Sequence, residues 1–292
     1  MPRAAYSAGG SQQISRWHTV SFVRLTTGAW RLISTHAGVN GVLLGLGIRP
    51  FHSVLAHTAP LQQMKRSFDP AVLEMMDRPQ PVSRELERDL ERIRQLNRWF
   101  GSYRLVLSFM GRWIKLGTHA RILDLATGSG DIPRLIIDYA RQIGAQIEID
   151  AVDRQPATLE IARKLSAGYP EISYDQANVL EWNSAERYDI MLCTLALHHF
   201  SEDDAVRVLR RCRESSRRFV LVSDLRRGYL LQAGVHILTA LLFREQMTRY
   251  DARLSAARAF SFSEVRKLAV GAGWKNFGHR RFRIARQAIW LE

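Results

Sequence analysis

Two hydrophobic periodicities alternate along the central part of the chain. Short continuous apolar runs, typical of strands buried on both faces, cover residues 121–126, 147–152, 172–174, 188–193 and 219–223. Between them, apolar residues recur at helical spacing and predict helices over residues 131–143, 156–167 and 201–213. Because strands that alternate with helices form parallel sheets covered on both faces, the pattern predicts a Rossmann-like α/β fold.

The flanking regions follow other patterns. Residues 82–116 predict two helices, which would form an N-terminal helical cap within residues 64–117. Residues 228–243 are almost uncharged and predict a further helix. A polar, arginine-bearing segment follows to Ala259, and the charged run from Arg244 to Asp251 within it is typical of a solvated loop.

The C-terminal part predicts one more helix and a hairpin. Ser261-Phe262-Ser263-Glu264 is a capping box that opens a helix. Two last apolar runs, at about 274–279 and 282–290, are close enough to pair as antiparallel strands. The whole chain therefore predicts a seven-stranded, mostly parallel sheet with a C-terminal antiparallel hairpin, helices on both faces and an N-terminal helical cap.

The first 63 residues differ in composition from the rest. They contain five arginines and no Asp or Glu, whereas all 28 acidic residues lie further along. An acid-free, arginine-containing segment rich in Ser and Thr is typical of a transit peptide, and the alternative is that the natural start is Met64. We therefore expect residues 1–63 to be a leader or a poorly ordered extension, with organellar import if it is a transit peptide.

Charge and cysteine content limit the possible partners, the cellular compartment and the kind of site. The net charge of +14 suggests nucleic-acid binding as an alternative, but the arginines are scattered and no aromatic-interleaved basic stripe occurs. We therefore expect no nucleic-acid partner. Cys193 and Cys212 are too few for a disulfide framework and lack metal-ligand spacing, which predicts a cytoplasmic protein without a metal site.

The most specific local pattern is a glycine turn after the first predicted strand. Asp124 ends the apolar run, Gly128-Ser129-Gly130 follows, and a helix opens at Asp131. A strand that turns through glycines into a helix N-terminus indicates a nucleotide-type cofactor. Pro133 stands where a dinucleotide loop has its third glycine, and no lysine follows as in a P-loop.

At Asp124-Leu125-Ala126-Thr127-Gly128-Ser129-Gly130 the chain resembles the class I S-adenosylmethionine-dependent methyltransferases, whose first motif is acid-x-Gly-x-Gly-x-Gly. Ala126 in place of the first glycine resembles the ubiquinone and menaquinone C-methyltransferases and related small-molecule enzymes. The resemblance implies S-adenosylmethionine as cofactor, with the acid and the free backbone N–H groups near its ammonium and carboxylate. Asp131 would contact the ammonium, cap the helix, or do both.

Three more motifs follow successive predicted strands: Asp153, Asn178-Val179, and the segment from Tyr188 to Phe200, which resembles the family's fourth strand and the loop under the methyl donor. Asp153 would accept hydrogen bonds from the ribose hydroxyls. Asn178 stands where the family usually has Asp against the adenine amino group, and an apolar residue against the ring follows. The predicted cofactor-binding residues are Asp124, Ala126, Thr127, Gly128, Gly130, Asp131, Asp153, Arg154, Asn178, Val179 and Leu195.

The resemblance also implies the domain layout. A methyltransferase domain would span residues 118–292, with a substrate lid inserted at about 226–260. The apolar helix in that insertion would wall a hydrophobic acceptor and touch a membrane surface, or else be a buried helix or a dimer surface. Met75-Met76-Asp77-Arg78-Pro79 and Asp224-Leu225-Arg226-Arg227 resemble methyltransferases encoded beside bacterial polyketide synthases that make phenolic lipids, which implies secondary metabolism.

Candidate chemistry follows from the acceptor that the resemblance implies. His198 and His199 are candidate bases for a phenol, the alternative being one packed and one solvated histidine. Arg249 and Tyr250 would orient a phenol or carboxylate. We expect methyl transfer to a small, aromatic, lipophilic acceptor, with phenol O-methylation first and C-methylation of a quinol ring second. The alternatives from other classes are a nucleic-acid methyltransferase or binder and a non-catalytic methyltransferase-like partner protein.

Overall fold

A computed structural model of the chain describes residues 64–182, 187–243 and 245–292, together with the backbone of four residues near the start. The chain divides into two units, Met1–Thr58 and Ala59–Glu292. In the first unit, β1 (Val23–Arg24) and β2 (Trp30–Arg31) pair antiparallel. Apart from these two strands, the segment expected to be a leader, residues 1–63, lies outside the described residues.

The second unit alternates strands and helices in the predicted order. Its first half contains α1 (Arg84–Trp99), α2 (Ser102–Trp113), β3 (His119–Leu125), α3 (Asp131–Ile143), β4 (Gln146–Asp153), α4 (Pro156–Leu165) and β5 (Ile172–Gln176). Its second half contains β6 (Tyr188–Thr194), α5 (Glu202–Ser215), β7 (Ser216–Leu225), α6 (Tyr229–Leu241), α7 (Gln246–Arg258), α8 (Phe262–Gly271), β8 (Gly278–Phe282) and β9 (Arg286–Leu291). Short 3-10 helices occupy Met75–Asp77 and Leu197–His199.

Seven strands form one sheet in the order β5-β4-β3-β6-β7-β9-β8. β3 to β7 are mutually parallel, and β9 runs antiparallel between β7 and β8. The predicted mostly parallel sheet with a C-terminal antiparallel hairpin is confirmed.

Helices cover both faces of this sheet. Alternate side chains of β3 enter two separate buried clusters: Ile122 belongs to one, and Leu123 and Leu125 belong to the other. Because side chains alternate across a strand, both faces of the central strand are buried. This burial explains the continuous apolar run that predicted the strand.

Two predictions in the C-terminal part are corrected. Residues 246–258 form α7, although the part up to Asp251 is expected from the sequence to be a solvated loop. The helix escaped detection because several of its buried residues are polar, among them Thr248 and Asp251. The final hairpin begins at Gly278 rather than near residue 274, since Trp274 is buried and donates its Nε1–H to Leu209 O at 2.9 Å.

Among the described residues, no helix is both long and apolar enough to span a bilayer.

Candidate active site

A cavity of about 1040 Å³ opens at the carboxyl ends of the central parallel strands. The turns that follow β3, β4, β5 and β6 supply one wall, and α6 supplies much of the other. The carboxyl edge of a parallel sheet is where folds of this kind bind ligands. Of the predicted cofactor-binding residues, Ala126, Thr127, Gly128, Asp131, Asp153, Arg154, Asn178, Val179 and Leu195 line the cavity.

The turn after β3 has an unusual backbone. Ala126 and Leu195 both adopt left-handed conformations with φ of 56°, and Gly128 has the same φ. Gly130 is also left-handed, and a Cβ there would come within 2.1 Å of the Tyr174 hydroxyl. A side chain at position 130 would therefore collide with Tyr174. Ala126 occupies a conformation that favours glycine.

Asp124 lies beneath the turn rather than on the cavity wall. It is 1 % exposed, and neither of its carboxylate oxygens has a hydrogen-bond partner among the described residues. Burial raises the pKa of Asp124 to about 7. A buried carboxylate with unmet hydrogen-bonding capacity is suited to an ammonium group, so this part of the site fits the methionine end of the expected cofactor.

Asp131 does not cap α3. The capping position is Gly130, which has no side chain, and Asp131 is the first helical residue. Its Oδ2 instead accepts hydrogen bonds from Asn97 Nδ2 at 3.1 Å and from the Tyr103 hydroxyl at 2.9 Å. Asp131 therefore joins the cofactor turn to α1 and α2, a link that residue spacing could not show because the partners lie far apart in the sequence.

Asp153 holds the turn in place. Its Oδ2 accepts the Gly128 N–H at 2.9 Å and its Oδ1 accepts the Gln155 N–H at 3.0 Å. Burial raises the pKa of Asp153. Each carboxylate oxygen has a second lone pair, so these bonds leave acceptor capacity on the cavity side.

Asn178 is engaged within its own turn. Its Oδ1 accepts the Leu180 N–H at 3.0 Å, and its Nδ2 donates to Glu181 Oε1 at 2.9 Å. The neighbouring Val179 is 5 % exposed and lines the cavity beside it. The amide therefore positions an apolar surface as well as lining the cavity itself.

His198 is held by Asp224. Its Nδ1 lies 2.7 Å from Asp224 Oδ1, and its backbone N–H donates to Asp224 Oδ2 at 2.8 Å. Although burial opposes ionisation, the histidine lowers the pKa of Asp224, so the carboxylate accepts and Nδ1 carries the proton. Nε2 is then the proton acceptor of the ring, and it has no hydrogen-bond partner among the described residues.

His199 has a different environment. Its Nδ1 lies 2.9 Å from Asp77 Oδ2, and its Nε2 lies 3.9 Å from Glu74 Oε2. Burial disfavours its charged form, but the carboxylates of Glu74 and Asp77 raise the pKa of His199 to about 10. His199 is therefore a cation at neutral pH, whereas Nε2 of His198 has no hydrogen-bond partner among the described residues.

The Glu74 carboxylate lies near the Nε2 atoms of both histidines, whose ring centroids are 4.3 Å apart. Its Oε1 lies 3.9 Å from His198 Nε2, and it also accepts the Ser255 hydroxyl at 2.7 Å. The side-chain ligand atoms of Glu74, His198 and His199 all lie within 4.8 Å of one another, a spacing that would also admit a divalent cation. The sequence could not indicate this group, because Glu74 precedes the sheet and the two histidines follow β6.

The segment that carries Glu74 is fastened to α7. Asp251 accepts the backbone N–H groups of Met75 and Met76 at 2.6 and 3.0 Å. Burial raises the pKa of Asp251 to about 7. Asp251 and Glu74 both line the cavity. The sequence indicated neither position, because Asp251 lies in a run expected to be a solvated loop and Glu74 lies outside the motifs.

Arg249 and Tyr250 do not reach the cavity. Both are exposed on α7, whereas Thr248, Asp251, Ala252 and Ser255 line the wall. Positions three and four apart share a helix face, so the residues between them point elsewhere. The structure therefore does not support the expectation that Arg249 and Tyr250 orient the acceptor. The polar side chains of α7 that line the cavity are Thr248, Asp251 and Ser255.

Helix α6 forms the apolar wall. Leu231, Val235 and Leu238 line the cavity, as do Leu230 and Leu241. Leu230 and Leu241 are nevertheless 89 % and 76 % exposed, so the helix faces both the cavity and solvent. The apolar helix predicted from the sequence therefore lines the cavity and is also exposed to solvent.

Comparison with known proteins agrees with this geometry. Residues 122–218 match the family model described as a methyltransferase domain. The chain is similar to the 2-phytyl-1,4-naphtoquinone methyltransferase of Thermosynechococcus vestitus, with 36 % identity over 81 residues. That match covers 28 % of this chain and 35 % of the relative, so it spans about a third of the length of the relative.

Two solved structures share the fold. Human N-acetylserotonin methyltransferase in complex with S-adenosylmethionine has a TM-score of 0.52 at 15 % identity, over 70 % of this chain and 55 % of that one. The plantazolicin methyltransferase BpumL, in complex with a triazolic analogue and S-adenosylhomocysteine, has a TM-score of 0.53 at 11 % identity, over 70 % and 88 %. The domain match, which covers about a third of the chain, and the shared fold support the resemblance to class I S-adenosylmethionine-dependent methyltransferases.

Proposed function

We propose that this class I methyltransferase binds S-adenosylmethionine at the carboxyl edge of β3–β6 and methylates a hydroxyl group of a small, lipophilic, aromatic acceptor. The observation that carries the proposal is one continuous cavity, which joins the glycine turn, the His198–Asp224 pair and the apolar α6 wall. It thus joins a cofactor turn, a candidate base and a hydrophobic surface, the three parts that such a reaction needs.

We assign to each residue near the glycine turn the part of S-adenosylmethionine that it would contact. Asp124 would receive the ammonium group, the backbone N–H groups of the turn would receive the carboxylate, and Asp153 would accept from the ribose hydroxyls. Asn178 and Val179 would bound the adenine. When bound, S-adenosylmethionine supplies an electrophilic methyl group on a sulfonium, so alignment by these residues provides much of the rate.

We assign the base role to His198. Its Nε2 would take the hydroxyl proton while the O–H electron pair stays on the oxygen that attacks the methyl group. Asp224 fixes the ring and stabilises the imidazolium that forms, as the acid of a catalytic triad does. Because Glu74 lies 3.9 Å from Nε2, its carboxylate must turn aside when the acceptor hydroxyl arrives.

C-methylation of a quinol ring is the second candidate. The similarity to a naphthoquinone methyltransferase favours it. The two reactions share the cofactor site and need the same deprotonated oxygen on the ring, so His198 would serve both. They differ in which atom of the acceptor faces the methyl donor.

The experiment has two stages. Calorimetric titration with S-adenosylmethionine tests the cofactor site, and absence of binding would leave only a methyltransferase-like partner protein. Incubation with methyl-labelled cofactor and a panel of phenols, alkylresorcinols and quinols then tests transfer. Mass spectrometry of the product separates an O-methyl ether from a C-methyl ring, and a panel without any labelled product would contradict the proposed acceptor class.

The exposed face of α6 supports peripheral contact with an anionic lipid surface, from which a lipophilic acceptor would enter. Leu230, Ile237 and Leu241 are exposed at the cavity mouth, and no acidic residue interrupts the helix. Arg226 and Arg283 line the same cavity and add positive charge. A helix with an apolar exposed face beside cations is suited to the headgroup region of a bilayer.

A further inference from the structure

Arg286 is a buried cation on the cavity wall. It begins β9, opposite Leu225 of β7, and only 7 % of it is exposed. Within the part of the chain that the structure describes, its side chain makes one hydrogen bond, from Nε to Ser102 Oγ at 3.1 Å. No carboxylate of those residues lies within 4.0 Å of its guanidinium nitrogens.

Such an arrangement is costly without a ligand. A buried charge is stable when it is paired, and a guanidinium carries five donors arranged to bind a carboxylate in bidentate fashion. Burial lowers the pKa of Arg286 to about 10, so it remains protonated at neutral pH. Asp224 is the acid whose charge acts on Arg286, but its oxygens are already engaged by His198.

A second arginine strengthens the positive potential of this wall. Arg226 follows β7, donates its backbone N–H to Ala285 O at 2.8 Å and lines the same cavity. Its Nε is buried without a hydrogen-bond partner in the described structure. Two cations from neighbouring strands therefore face the cavity without acidic partners of their own.

The position of Arg286 separates it from the cofactor turn. In the sheet order, β9 lies three strands from β3, roughly 14 Å at the usual strand spacing. It lies instead beside β7, whose Asp224 holds His198. We therefore assign an anion bound to Arg286 to the acceptor, on the β7 side of the cavity that also carries the His198–Asp224 pair.

We propose that Arg286, supported by Arg226, binds a carboxylate on the acceptor, so that the preferred acceptor is an aromatic ring carrying a hydroxyl, a neighbouring carboxylate and an apolar tail. This inference rests on the proposed function and names its substrate class. Arg286 acts as a positioning and specificity residue, and the carboxylate supplies the negative charge that the buried guanidinium lacks.

The test compares two acceptors that differ only in the carboxylate: meta-pentylphenol and the same phenol with a carboxylate ortho to the hydroxyl. We expect kcat/KM to be at least about tenfold higher for the acid, since one charge-assisted bidentate pair is gained. Arg286→Met should lower kcat/KM for the acid about a hundredfold, mainly through KM, and should leave the neutral phenol within about threefold. Arg286→Lys should fall between the two, because it keeps the charge without the planar fork.

Controls distinguish this role from others. Arg280→Met removes the same charge from an exposed residue of β8 and should change neither acceptor. Unfolding temperature and calorimetric affinity for S-adenosylmethionine are measured for each variant. A tenfold loss of cofactor affinity in Arg286→Met would overturn the proposal, because Arg286 would then serve the cofactor. An equal loss with both acceptors, or no preference for the acid, would overturn it as well.

A binding experiment distinguishes failure of the proposed anion site from failure of the proposed reaction. The ortho-carboxylated phenol is titrated into the complex with S-adenosylhomocysteine, which cannot turn over. Binding that Arg286→Met abolishes supports the anion site even if no product forms, in which case only the proposed reaction fails. Absence of binding to the unmodified protein contradicts the anion site, whatever the outcome with neutral phenols.

Discussion

Nδ1 of His198 lies 2.7 Å from Asp224 Oδ1, and the same carboxylate accepts the backbone N–H of His198 through its other oxygen. The two residues come from the ends of β6 and β7, neighbouring strands of the sheet. The double contact fixes both the ring and the loop that carries it, with Nε2 as the free ring nitrogen.

Loss of this pair should impair turnover. We expect His198→Ala to lower kcat by about 10²–10⁴, the usual contribution of a positioned base, and Asp224→Asn to lower it by a smaller factor. Affinity for S-adenosylmethionine should change little, since neither residue belongs to the proposed cofactor contacts. His236→Ala, on the exposed side of α6, is the matched control. Full turnover in His198→Ala would assign deprotonation to another group.

Asp124 should make cofactor affinity depend on pH. Because burial raises its pKa to about 7, the carboxylate is largely protonated at pH 6 and binds an ammonium poorly. Affinity for S-adenosylmethionine should rise about fivefold to tenfold between pH 6 and pH 7.5, as the ionised fraction grows. Asp124→Asn should bind weakly with a flat profile, whereas Asp138→Asn, on the exposed face of α3, should keep the slope. Calorimetry at constant ionic strength measures both.

The same carboxyl group should weaken the unliganded fold as pH rises. Its folded-state pKa of about 7 exceeds the unfolded value of 3.8, so its stabilising contribution is complete below pH 4 and is lost by about pH 7. The difference in free energy of unfolding between wild type and Asp124→Asn should therefore fall over that window. A difference independent of pH would show that Asp124 titrates normally.

Ala126 should be a point of backbone strain. At φ of 56°, a residue with a Cβ costs about 1–2 kcal/mol relative to the right-handed region. Ala126→Gly should raise the free energy of unfolding by about 1 kcal/mol, whereas Ala120→Gly, within β3, should lower it by about 0.5–1 kcal/mol. Denaturant titration of both variants measures the contrast. A loss of stability in Ala126→Gly would contradict the strain.

Metal removal tests the assignment of His198 as a base. Glu74, His198 and His199 are spaced so that a divalent cation would fit between them, yet proton transfer by His198 requires its Nε2 to be free. We expect turnover to survive dialysis against EDTA and to fall when Zn²⁺ is added, because the cation would occupy Nε2. Activity that is lost with EDTA and restored by a metal would reassign the three residues as ligands.

Membrane contact can be measured with vesicles. Leu230→Gln together with Leu241→Gln should reduce flotation with anionic phosphatidylglycerol vesicles, since both side chains are more than three-quarters exposed on α6. Leu116→Gln, 82 % exposed between α2 and β3, is the control and should float as wild type does. Neutral phosphatidylcholine vesicles should bind less than anionic ones. Equal flotation of all variants would exclude α6 as the contact.

Much of the scaffold could be predicted because its signals are local. The apolar run ending at Asp124 and the glycines after it predicted β3, its turn and α3, since a buried strand and a helix each leave their period in the chain. Helix α7 could not be predicted in this way, because the side chains it buries, such as Thr248 and Asp251, are polar and pair with residues of the N-terminal segment.

The sequence by itself determined the order of the strands and of the helices other than α7, the glycine turn after β3 and the resemblance to class I methyltransferases. Only the tertiary structure decided which residues meet: His198 with Asp224, Asp131 with Tyr103, and Arg286 with no acid of its own among the described residues. The periodicity of each segment reflects which of its own residues are buried. Contacts between residues of distant segments depend on the strand order and on the packing of the helices. No single stretch of the sequence specifies these.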